Sequence, residues 1–187
     1  MFFDKKPAIG TTPDLANLKI TDARVGDVLS LTGAAADFSD LDFTVDRCDV
    51  LEAGSSRWVE LSGPWRDLRV YLEVHRNDNV EVFANLDGRK ITLDEIGLSE
   101  QDLADLDSRQ NPADFFDYDK KFWLYRLSRE MGRFTGGNST GNGFYAWQFQ
   151  EQDGRRFLYI RKYQSEPFTG TIWTRIEPAD ITVYRGK

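Results

Sequence analysis

Phe144 to Tyr163, FYAWQFQEQDGRRFLYIRKY, is the stretch that most restricts what this chain can fold into. Two alternating runs flank Asp153-Gly154, a dipeptide that favours the left-handed angles of a type I′ hairpin turn. With those two residues as the loop, Gln152 faces Arg155, Phe149 faces Leu158 and Trp147 faces Ile160. That face is fully apolar. Gln150 with Phe157 and Gln148 with Tyr159 form the other, half-polar face. The pattern predicts antiparallel strands with one side on a core.

Composition agrees with a β-rich chain. Of the 187 residues 40% are hydrophobic and 13% aromatic, enough for a real core and weighted toward strand-formers. The length suits one domain, or two small units fused tightly. A net charge of −7 disfavours nucleic acid and an anionic membrane surface. Cys48 and His75 are the only residues of their kinds, which leaves no disulfide framework and no usual zinc set. We therefore expect no cofactor and no structural metal. No stretch approaches the ~20 apolar residues of a membrane span, and the N-terminus lacks the apolar core of a signal peptide. The expectation is a cytoplasmic protein with no direct membrane insertion.

Read in order, residues 1–19 form a loosely held arm, with Leu15, Leu18 and Ile20 available to pack on the domain edge. Strands are expected over Gly26 to Leu31, around Cys48 and over Arg57 to Leu61, the last stopped by Gly63-Pro64. Leu68 to Leu86 reads as a hairpin that pairs Val74 with Val80 around a loop from His75 to Asn79. Ser99, with Asp102 three residues on, caps a helix to about Asp107 that buries Leu103 and Leu106. Asn111-Pro112 predicts a second short helix to Asp117. Phe122 to Leu127 resumes strand character, and a Gly-rich loop fills Gly132 to Gly143. Thr171 to Ile176 and Ile181 to Tyr184 are the closing strands. The predicted fold is mainly β (α+β), an antiparallel β barrel or sandwich with a small helical insertion. It also reads as two similar β units, 20–94 and 121–187, joined by a helical segment 95–120. VYLEVHRNDNVEVFANL from Val70 parallels the hairpin from Tyr145, although amphipathic hairpins resemble one another in any case.

Gly26-Asp27-Val28 at a strand start, the run YIRKY, and PADITVY from Pro178 together resemble the uncharacterised bacterial domain-of-unknown-function 4178 family. The resemblance spans Lys19 to Tyr184 and rests on hydrophobic and turn positions. The insertion between Ile96 and Lys121 departs from the family's shortest pattern. It implies a cytoplasmic bacterial accessory protein associated with envelope stress or with genes for small membrane proteins. That family has no established reaction, so the resemblance carries over no catalytic or cofactor-binding residue.

Several residue groups invite a chemical reading. Asp37, Asp40, Asp42, Asp46 and Asp49 would suit calcium, but the spacing lacks the central Gly and final Glu of a calcium loop, and a solvated acidic edge is favoured. Gly143 is followed by Phe144, not by the Lys-Ser or Lys-Thr of a phosphate cradle. His75 is the one candidate acid or base; without a placed nucleophile it reads as an exposed turn histidine. Cys48, between Arg47 and Asp49, reads as a half-buried strand residue rather than a reactive thiol. The densest apolar stretch carries Phe115, Phe116, Tyr118, Phe122, Trp123 and Tyr125. These six are either core or a partner-binding surface. The leading expectation is a non-catalytic binding or adaptor protein with a protein partner, with a homo-oligomer left open. The alternative is a small-molecule-binding β module with a groove lined by Trp and Tyr, and an enzyme ranks third.

Overall fold

The computed structural model describes residues 17–152 and 154–186. Twelve strands and two short helices follow in order: β1 (Val28–Leu31), β2 (Leu41–Thr44), β3 (Arg47–Ala53), β4 (Ser56–Trp65), β5 (Leu68–Arg76), β6 (Val80–Asn85), α1 (Leu93–Ile96), α2 (Glu100–Arg109), β7 (Phe115–Tyr118), β8 (Lys121–Thr135), β9 (Asn142–Glu151), β10 (Arg156–Tyr163), β11 (Thr169–Ile176) and β12 (Ile181–Tyr184). Eight of them pair in the order β3-β4-β5-β6-β11-β10-β9-β8, and β3 pairs again with β8. The sheet therefore closes on itself as an antiparallel barrel, which removes its open edges. Residues 20–94 supply one four-stranded meander and residues 121–187 the other. The two hairpins alike in sequence hold different places: β5–β6 ends its meander, whereas β9–β10 sits in the middle of its own. Strand β7 adds outside β8, and β12-β1-β2 form a separate three-stranded sheet.

Closure gives every strand an inner and an outer face. Over the first meander the outer face is covered by the three-stranded sheet, which packs Leu29, Leu31, Phe43 and Val183 against Leu61, Leu72, Val74 and Val82. Contact is closest at Gly63, where a Cβ would lie 2.0 Å from the Thr44 carbonyl oxygen. Strand β4 runs on through Pro64, because β3 has already left the ladder at the Arg47–Ser62 pair and Pro64 has no N–H to leave unpaired there. The small sheet is tied together by Asp27. Its buried carboxylate accepts from Arg24 N, Gly186 N and Arg185, the last at 2.6 Å. Over the second meander the outer face is covered by α1, α2 and the adjoining segments, which bury Trp123, Tyr125, Trp147, Phe149 and Ile160 together with Leu103 and Leu106. Trp147 Nε1 donates to the Leu103 carbonyl at 3.1 Å, which fixes α2 on the barrel wall.

The hairpin register is the expected one, with Trp147 opposite Ile160 and Gln148 opposite Tyr159. Asp153, the first residue of the expected turn, lies outside the described residues. The helix capped by Ser99 is present, with the reciprocal Asp102 contact, and ends at Arg109. Beyond the strand stop at Gly63-Pro64, other expectations need correction, and the one strand expected around Cys48 is two, β2 in the small sheet and β3 in the barrel. Val74 pairs with Val82 rather than Val80, so the β5–β6 loop shrinks to 77–79 and His75 lies within the strand. Residues 115–118 form a strand rather than a helix, because Phe115 to Tyr118 pair with Leu124 to Lys121 across a tight turn. The Gly-rich link contracts to 136–141, since β8 and β9 extend into it. Leu18 and Ile20 pack on the first core, while Leu15 lies outside the described residues. Among the described residues no helix is long and apolar enough to cross a membrane.

Candidate functional site

The inner faces of the barrel strands carry aromatic and charged residues in alternation. Strand β4 points Trp58, Glu60 and Ser62 inward; β5 adds Tyr71, Glu73 and His75; β10 adds Tyr159, Arg161 and Tyr163. A bulge in β8 between Tyr125 and Leu127 reverses that strand's parity. Trp123 and Tyr125 before the bulge face the outer core, whereas Arg129 and Arg133 beyond it face the lumen.

These side chains join into one string of alternating charge. Arg47 Nη2 lies 2.7 Å from Asp49, and Arg133 bridges Asp49 at 3.3 Å and Glu60 at 2.8 Å. Arg161 reaches Glu60 at 3.5 Å and Glu73 at 2.5 Å, and His75 Nε2 lies 3.3 Å from the other Glu73 oxygen. Asp49, Glu60 and Glu73 are each no more than 3% exposed. Three carboxylates are held this deep only because each has a guanidinium beside it. Burial pushes the Glu60 carboxyl up, and Arg133 and Arg161 offset only part of that. Burial acts on Glu73 in the same direction, but the His75 contact and Arg161 outweigh it and hold Glu73 below its ordinary value. Burial also raises the Tyr159 and Tyr163 phenols.

Two spaces open off this string. A recess of about 180 Å³ at one barrel end is bordered by Tyr71, Asn85, Lys90, Arg133, Tyr163 and Trp173. A smaller chamber of about 40 Å³ lies on the other side of Arg161, between Trp58, His75, Arg129, Gln148 and Tyr159. Among the described residues four buried side-chain nitrogens lack a partner: Trp58 Nε1, Arg129 Nε, Arg133 Nε and Arg185 Nε. All four are donors, and the first three border these spaces. A broader external cleft of about 550 Å³ lies near Asp87, Glu95, Tyr118 and Arg156. There Glu95 is already engaged with Thr92 and Arg89, and Arg156 with Glu151. The lumen is the better candidate because three of its buried N–H groups have no partner among the described residues and its walls are aromatic.

The residues singled out from sequence have different fates. His75 is not an exposed turn residue: it stacks on Trp58 with ring centroids 4.8 Å apart and meets Phe83 edge-on at 5.4 Å. Cys48 is half-buried against the first core, and burial raises its thiol, so it stays a poor nucleophile. The five aspartates go to separate partners. Asp37 bonds Ser39, Asp40 takes Gly33 N, Asp46 chelates Arg69 at 2.7 and 2.8 Å, and Asp49 lies in the lumen, while Asp42 is exposed. Among the described residues no group of three His, Cys, Asp or Glu is placed to hold a metal ion. Of the aromatic connector, Trp123 and Tyr125 are enclosed, and Phe116 and Tyr118 are half-buried against the same core. Phe115 and Phe122 remain outside as an edge-to-face pair 5.3 Å apart, 60% and 47% exposed.

Sequence reasoning missed Glu60, Glu73, Arg133 and Arg161. A signal was available. The runs Trp58-Glu60-Ser62, Tyr71-Glu73-His75 and Tyr159-Arg161-Tyr163 place large aromatics on the same face as the charges, which a solvated face has no reason to do. The chain matches no protein-family model, no curated protein and no solved structure.

Proposed function

We propose that this chain is a non-catalytic small-molecule-binding β barrel whose ligand enters the 180 Å³ recess beside Tyr71, Tyr163 and Trp173. One observation carries the reading. The recess joins an aromatic wall to the half-buried Arg133, whose terminal nitrogens hold Asp49 and Glu60 and whose buried Nε–H has no partner among the described residues. Eight-stranded barrels are wide enough to hold one small ligand. The ligand class that fits is a small planar organic acid: its ring stacks on Tyr163 or Trp173, and its carboxylate meets Arg133 and the exposed Lys90. The carboxylates of the charged string are taken up by their own guanidiniums, which favours binding over proton-transfer chemistry. The cytoplasmic bacterial setting and the link to envelope stress rest on the resemblance carried by Gly26-Asp27-Val28 and PADITVY. The test is a thermal-shift panel of benzoate, salicylate and indole-3-acetate beside their neutral amides. At least one acid should give a saturable rise that its amide lacks and that Lys90→Met weakens. No rise with any acid would sink the reading.

Phe115 and Phe122 favour a second reading, in which a protein partner docks on them at the free edge of β7. Phe115→Ser with Phe122→Ser should keep the circular dichroism spectrum of the parent and lose a partner recovered by affinity capture. Unchanged capture would remove this reading.

A further inference from the structure

We propose that the inner chamber between Trp58 and Arg129 is a binding site for one small monovalent anion, of halide to nitrate size. Three observations lead there. Trp58 Nε1 and Arg129 Nε are both buried without a partner among the described residues, and both border the same chamber. Trp58 is 5% exposed, and its indole N–H is itself buried. The Arg129 guanidinium lies over that indole, 5.7 Å from the ring centroid, so the two side chains wall the same chamber side by side.

Charge makes the site anionic rather than merely wet. The lumen and its mouth hold four guanidiniums, Arg47, Arg129, Arg133 and Arg161, against three carboxylates, Asp49, Glu60 and Glu73. Arg129 is the one left over, with no ion pair and no hydrogen bond among the described residues. Arg129 is half-buried with its Nε enclosed, so a water molecule would satisfy the two N–H groups, whereas an anion would also meet the guanidinium's charge. Glu73 also borders the chamber, but both its oxygens are committed, one to Arg161 and one to His75. Size limits the occupant. A space of 40 Å³ holds about three waters or one small ion, and leaves no room for the body of an organic acid. The anion is therefore a free ion from solution, and the site is independent of the ligand recess beyond Arg161.

Crystals of the wild-type protein soaked in sodium bromide test this directly. The expected result is an anomalous peak within hydrogen-bond distance of both Trp58 Nε1 and Arg129 Nε. In solution, bromide and nitrate should raise the melting temperature saturably at constant ionic strength, and gluconate, too large for the chamber, should not. Arg129→Gln should weaken the apparent bromide affinity by about tenfold or more, the worth of a charged hydrogen bond. Lys90→Met, which alters only the outer recess, should leave it unchanged, so this site and the organic-acid site can fail separately. If Arg129→Gln does not fold, the wild-type anomalous map decides alone. Water alone in the soaked chamber, bromide found only on the outer surface (an adventitious ion only), or full bromide affinity in Arg129→Gln would each overturn the proposal.

Discussion

Replacing Arg161 with Met removes the charge that joins the two halves of the lumen string while keeping an unbranched apolar stem in its place. Arg161 is 12% exposed, and its partners Glu73 and Glu60 are 2% and 3% exposed. The substitution leaves Glu60 with Arg133 and leaves Glu73 with the weaker His75 contact alone. Removing one member of a buried pair costs about 3–5 kcal/mol, because the stranded charge stays out of water. For a chain of this size that is a fall in melting temperature of about 6–20 °C. The loss should depend on pH. In the wild-type chain Glu73 is held below its ordinary value of 4.5, so its stabilisation is complete above that value and fades as pH falls through the lower folded one. In the variant burial still pushes Glu73 up and only the His75 contact opposes it, so its carboxyl rises relative to the wild type and the penalty shrinks on acidification. Urea unfolding of both proteins at pH 7.5 and pH 5.5 measures this. Adding Glu73→Gln should recover about 1 kcal/mol or more of the loss, through the coupling of neighbours in one network. A loss below about 1 kcal/mol at pH 7.5 would refute a buried charged string.

Two further variants probe the layers around the lumen. Trp147→Ala should cost about 3–5 kcal/mol in chemical denaturation, since it opens a cavity under α2 and removes the indole hydrogen bond to the Leu103 carbonyl; a change under about 1 kcal/mol would place Trp147 outside the core. Gly63→Ala should loosen the outer three-stranded sheet, because the new methyl meets the Thr44 carbonyl and the Phe43 ring. Amide exchange should then rise over β1, β2 and β12 more than over β9 and β10, and a uniform rise would contradict separate layers.

The β9–β10 register was legible because alternation on both sides of the DG dipeptide fixes pairing locally. The Ser99 helix was legible for a similar reason: its cap is a local contact. What could not be read locally was which side of the sheet faces inward. Alternation in Phe144 to Tyr163 is the same whether the half-polar face meets solvent or a barrel lumen. Closure depends on the β3–β8 pairing, from Glu52 with Gly132 to Asp49 with Thr135, between residues distant in sequence, of which neither strand carries a mark. The bulge at Arg126 was equally hidden, yet it turns Arg129 and Arg133 inward. His75 was misplaced by a two-residue error in one hairpin register. The capping box Thr92 to Glu95 was visible in the sequence and defines α1, which the sequence reading passed over.

The chain has five tryptophans, and each indole N–H gives its own nitrogen–proton correlation. Trp173 borders the ligand recess, Trp58 borders the inner chamber, and Trp123 and Trp147 sit in the outer core. A titration of the labelled protein with the best organic acid from the panel therefore locates binding in one spectrum. Ligand capture inside the barrel predicts a saturable shift of the Trp173 signal with Trp123 and Trp147 unmoved. A saturable shift confined to Trp123 or Trp147, with Trp173 unmoved, would contradict it.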